Sequence, residues 1–126
     1  MNISGLSFNA LPPIALPFRF FLTAPLFIIL CAFLVLFSGE TLWGSRWHPS
    51  MLALTHGFTL GFITMVMMGA LLQLLPVIGG VGIAKPRLVV DVCHSTLVIG
   101  ILCLMANFIW PSALLAISSL IFLICS

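Results

Sequence analysis

Residues 52–80 read LALTHGFTLGFITMVMMGALLQLLPVIGG. Across these 29 positions the only ionisable side chain is His56. The run is longer than the roughly 20 apolar residues that cross a hydrocarbon core of about 30 Å as a helix. It therefore reads as a membrane span, and His56 becomes a question, because an imidazole in hydrocarbon costs free energy unless something there uses it.

The rest of the chain supports that reading. Of 126 residues, 63% are hydrophobic and 5% charged, and the mean hydropathy is +1.38. Soluble domains carry about a quarter charged residues, so this chain lacks the polar groups to cover a surface in water. Its six charges are Arg19, Glu40, Arg46, Lys85, Arg87 and Asp91. They fall at the ends of apolar runs, as in a membrane protein. A net charge of +2 with no basic patch gives no argument for nucleic acid as a partner.

Three full runs are expected as spans, 18–38, 49–75 and 88–109, with a partial fourth over 111–126. Residues 1–17 form an N-terminal segment without the basic start of a signal peptide, and 18–126 form one transmembrane helical domain. The fold class is thus all-α, a polytopic transmembrane helix bundle. Pro49 and Pro111 suit the first turn of a helix. Pro25 should kink the first helix, and Pro76 with Gly79, Gly80 and Gly82 should end the second. Trp43 and Trp47 suit a membrane interface. Arg19, Lys85 and Arg87 share one side with the N-terminus and Arg46 lies on the other, so the positive-inside rule places the N-terminus in the cytoplasm.

The marked residues leave choices open. His56, about 10 Å below one boundary, is either a haem or metal ligand or a partner in an interhelical hydrogen bond. His94, near the opposite boundary, either makes a polar contact near Asp91 or takes part in a proton relay or a metal site. Counted from their boundaries, the two histidines differ in depth by about 10 Å, too far to share one iron. His48 reads as interfacial. Gly57 and Gly61 form a G-x-x-x-G, with Gly69 further on, which allows close approach of a helix or a flat cofactor. Met65, Met67 and Met68 read as packing, and so do the four cysteines, which show no CxxC spacing. Gln73 can bond across helices. Asp91 is expected to pair with Lys85 or Arg87, with a role in proton uptake as the alternative. There is no G-x-S-x-G, HExxH or P-loop.

The stretch THGFTLGFITMVMMGALLQLLPVIGG resembles the second transmembrane helix of the haem-copper oxidase subunit I superfamily. In that helix a histidine precedes a Phe/Met-rich run, a proline and a Gly-Gly turn. With LPFRFFLTAPLF before it and LLQLLPVIGGVGIAKPR at its end, the pattern looks closer still to bacterial subunit I-like membrane proteins, and more distantly to nitric-oxide-responsive haem-copper membrane proteins. The resemblance implies that His56 is an axial ligand of a low-spin haem, here of b type, and that the chain belongs to the bacterial inner membrane and takes part in electron transfer. It also implies about a dozen helices, with the second haem ligand and all copper ligands on later ones. No copper site is therefore expected in this chain. It reads as an N-terminal fragment, completed by further helices of a longer chain or a partner subunit, or by a second copy in a homo-oligomer. The competing readings are a non-catalytic membrane protein, such as a sensor, assembly or packing subunit, in which His56 is structural, and a small transporter half.

Overall fold

The computed structural model describes residues 12–79 and 84–126, and every regular element in them is helical. Helix α1 covers Ala15–Ser38 and runs into a 3-10 segment, Gly39–Gly44. Helix α2 covers Pro49–Gly79, α3 Pro86–Ile109 and α4 Ala113–Ile124. The first three are long and apolar enough to cross a membrane. Helix α4 has 12 residues, about 18 Å of rise, which is shorter than a hydrocarbon core. Many large apolar side chains point outward, including Leu36, Phe37, Ile78 and Leu114 at more than 70% exposure. That surface is compatible with a bilayer and not with water.

The helix starts follow the proline logic in part. Pro49 and Pro86 occupy first-turn positions, where a missing N–H leaves no bond unmade. His48 caps α2, its Nδ1 accepting the Ser50 N–H at 3.3 Å. Lys85 enters α3 in the left-handed region, at φ 47°. Pro111 lies before α4, which starts at Ala113. Pro76 does not end α2: it is buried inside the helix, which runs on to Gly79. A proline removes one backbone donor but leaves room for a last turn beyond it. Pro25 likewise lies within α1. Gly80 and Gly82 of the expected turn, and most of the 1–17 segment, are outside the described residues.

One stripe on each long helix forms the core. On α1 it is Leu16, Phe20, Ala24, Phe27 and Cys31; on α3 it is Val90, Leu97, Ile101 and Met105. On α2 five buried positions, Ala53, Gly57, Gly61, Met65 and Gly69, are each four residues from the next, with Pro76 buried beyond them. A strict spacing of four does not hold one face of an α-helix, because each step overshoots a turn by about 40°. The backbone removes that mismatch. Residues Gly57–Thr64 are π-helical, and a π turn takes more residues than an α turn. The stripe consequently stays turned toward α1. A Cβ on Gly57 would lie 3.0 Å from Cys31 Sγ, one on Gly69 3.0 Å from the Phe21 ring, and one on Gly61 would run into the Phe27 side chain. Gly57–Cys31, Gly61–Phe27 and Gly69–Phe21 together fix an antiparallel register of α1 and α2.

Helix α3 packs against α2 and touches α1, whereas α4 rests on α3 alone. Leu123 of α4 sits over Gly100 of α3, where a Cβ would be 2.9 Å from Leu123 Cγ. Short connections between consecutive antiparallel helices explain this order. They put the ends of α1 and α3 and the start of α2 on one side of the bundle, with Trp43, Trp47 and Trp110 all exposed there. Arg46 lies 5.5 Å from the Trp47 ring centroid, a cation–π contact.

Candidate functional site

His56 is the last α-helical residue before the π segment begins. Its Nδ1 is 2.7 Å from the Leu52 carbonyl oxygen. A carbonyl can only accept, so Nδ1 carries the proton and donates. In the neutral form of the ring, Nε2 then holds the lone pair. A carbonyl bond at one ring nitrogen holds the imidazole in a fixed orientation. The ring is half-buried between α2 and α3, with its centroid 4.9 Å from that of Phe108 and the planes tilted by 38°.

The carbonyls around His56 are supplied with extra donors. Thr55 Oγ1 donates to Met51 O at 2.9 Å and Thr59 Oγ1 to Thr55 O at 2.8 Å. Thr64 Oγ1 donates to Thr59 O at 3.1 Å, and the Cys31 thiol faces Leu54 O at 3.8 Å. Hydrocarbon offers no water to a backbone whose bonding pattern changes, so side chains of α2 and α1 fill that role. Gly57, next to His56, gives its space to Met105 and Cys31: a Cβ there would lie 2.7 Å from Met105 Cε. Gly57, Gly61 and Gly69 thus admit side chains of neighbouring helices. The packing surrounds the His56 segment with sulfur and phenyl groups.

His94 belongs to a separate cluster near the opposite end. His94 Nε2 is 2.6 Å from Thr23 Oγ1 on α1, and its ring meets Phe20 edge-on at 5.0 Å. Thr23 Oγ1 in turn donates to the Arg19 carbonyl. With that hydroxyl proton committed, Thr23 accepts from His94 Nε2–H. Asp91 pairs with Arg19, not with Lys85 or Arg87. The reason is topological. Helices α1 and α3 both begin on this side of the bundle, so their first turns lie level, and Arg19/Thr23 face Asp91/His94 in two rungs.

The distance between the clusters is larger than the boundary counts suggest. His56 lies against Phe108, which is 14 residues beyond His94 on α3, or about 21 Å along its axis. Helix α2 runs on to Gly79 and α3 begins at Pro86, so both reach past the apolar runs at the end of the bundle away from His56. No iron reaches both histidines. Among the described residues no group of three or more His, Cys, Asp or Glu is placed to hold a metal ion.

Gln73 lines an open groove with Pro12, Ile14, Pro17, Leu74 and Val77, of about 300 Å³. Two features escaped the sequence reading. The π segment had a signal in the unbroken four-residue spacing of small and buried positions from Ala53 to Gly69. Phe108 had none, since only the packing of α3 against α2 selects it from 11 phenylalanines. No protein-family model, curated protein or solved structure matches the chain.

Proposed function

We propose that this chain is the His56-bearing portion of a haem-binding integral membrane redox protein of the haem-copper oxidase subunit I type, placed in a bacterial inner membrane with its N-terminus in the cytoplasm. The single observation that carries the reading is the His56 Nδ1–Leu52 O bond, which fixes the tautomer with Nε2 free to ligate. The residues fit one axial position: a neutral imidazole, held in orientation by its own helix and flanked by an aromatic ring. A b-type haem bound there would supply a one-electron iron couple within the membrane. The protein's part is to hold Nε2 at a fixed angle, exclude water and set the polarity around the ring. The second axial ligand comes from further helices of a longer chain, a partner subunit or a second copy.

Stoichiometric haem added to the full chain in detergent should give a Soret band that shifts and sharpens on binding. The same addition to His56→Ala should leave the spectrum of free haem. A folded wild-type chain that leaves added haem unbound, with helical circular dichroism intact and further helices supplied, would contradict the proposal. His56 would then be an interhelical packing residue.

A further inference from the structure

We infer that the groove between α1 and α3 seats one acyl chain of an anionic membrane phospholipid, with the lipid phosphate on Arg19. The groove is lined by Thr23, Leu26, Phe27, Leu30, Val98 and Leu102 and holds about 240 Å³. Its walls are apolar, and Leu26, Leu30 and Leu102 are exposed toward the bilayer. Among the described residues, side chains of α1 and α3 hydrogen-bond to each other only at Arg19–Asp91 and Thr23–His94. Above those two rungs the helices leave an open furrow. It starts at Thr23 and extends to Leu30, seven residues or about 10 Å toward the middle of the bundle. This is the path of a lipid chain whose headgroup stays at the boundary where α1 and α3 begin.

Charge selects the headgroup. Arg19 lies one turn beyond the groove's polar end, with its side chain 51% exposed. Asp91 engages Nη1, and a guanidinium has five N–H donors, so others remain for a phosphate. The Asp91 carboxylate opposes an anion here. Lys85 and Arg87 stand exposed at the same end. With Arg19 they set three positive charges against one negative. A net-neutral headgroup gains nothing from that excess, whereas an anionic one does.

Native mass spectrometry of the full chain tests this, in micelles doped with equal phosphatidylglycerol and phosphatidylcholine of identical acyl chains. The expected result is one retained lipid per chain, with phosphatidylglycerol favoured about fivefold. Val98→Phe should fill the groove and abolish retention of either lipid. The pair Arg19→Gln with Lys85→Gln removes the guanidinium that faces the phosphate and leaves one positive charge against one negative at this end, and should bring the ratio to about one. Equal retention of the two lipids by the wild type would overturn the inference, as would unchanged retention in Val98→Phe. So would a dimer that retains no lipid, since a second copy would then cover the groove.

Discussion

Two regions of this bundle hold their helices together by opposite means. Along the α1–α2 seam the contacts are steric: Gly57, Gly61 and Gly69 let Cys31, Phe27 and Phe21 come close to the backbone. At the α1–α3 end the contacts are polar: Arg19 pairs with Asp91, and Thr23 with His94. Each region contains a histidine, and the difference in surroundings gives them different chemistry. His94 spends Nε2–H on a threonine of another helix. His56 spends Nδ1–H on a carbonyl of its own helix and keeps Nε2 for a further ligand. The same side chain is a fastener in one place and a candidate ligand in the other. What separates them is which nitrogen the neighbours occupy.

The largest expected effect is on the steric seam. Gly61→Ala puts a methyl group into the Phe27 ring and within 2.9 Å of its Cβ, an atom that cannot swing away. Overpacking of this kind costs about 1–3 kcal/mol. Gly57→Ala meets chiefly the flexible end of Met105 and should cost less. Gly79→Ala meets nothing within 4 Å and should be neutral. Thermal unfolding in detergent should rank the three in that order. Equal effects at Gly61 and Gly79 would break the distinction between the two regions.

The polar end should respond less. Both side chains of the Arg19–Asp91 pair are about half exposed, 51% and 50%. Asp91→Ala should therefore lower stability by only about 1 kcal/mol. Lys85→Ala should not match it if Arg19 is the true partner. Smallest is the His94–Thr23 bond. A double-mutant cycle of His94→Phe and Thr23→Val, read by the same unfolding assay, should give a coupling of about 0.6 kcal/mol, the average for such bonds in membrane helices. Coupling near zero would mean that the edge-on contact with Phe20 alone holds His94.

Much of the architecture is visible in the sequence because a bilayer imposes a single strong rule: long apolar runs cross it as helices. The three spans, Pro49 at a first turn and the separation of His56 from His94 all follow from that rule. The partner of Asp91 does not. Lys85 and Arg87 are its sequence neighbours, whereas Arg19, 72 residues away, becomes its partner only once α1 and α3 start side by side. Pro76 was misleading because a proline near a helix end signals a stop without fixing the residue at which it comes. The π segment was written in the spacing of Ala53, Gly57, Gly61, Met65 and Gly69, a strict period of four that an α-helix does not keep on one face. The orientation of His56 was not legible at all. It depends on a hydrogen bond within α2 and on a phenylalanine of α3.

The most direct measurement is the reduced-minus-oxidised visible spectrum of haem-loaded protein for wild type, His56→Ala and His94→Ala, each normalised to folded protein. Ligation through His56 Nε2 predicts a b-type spectrum in the wild type, the same spectrum in His94→Ala, and its loss in His56→Ala. A wild-type spectrum that survives in His56→Ala would contradict that ligation.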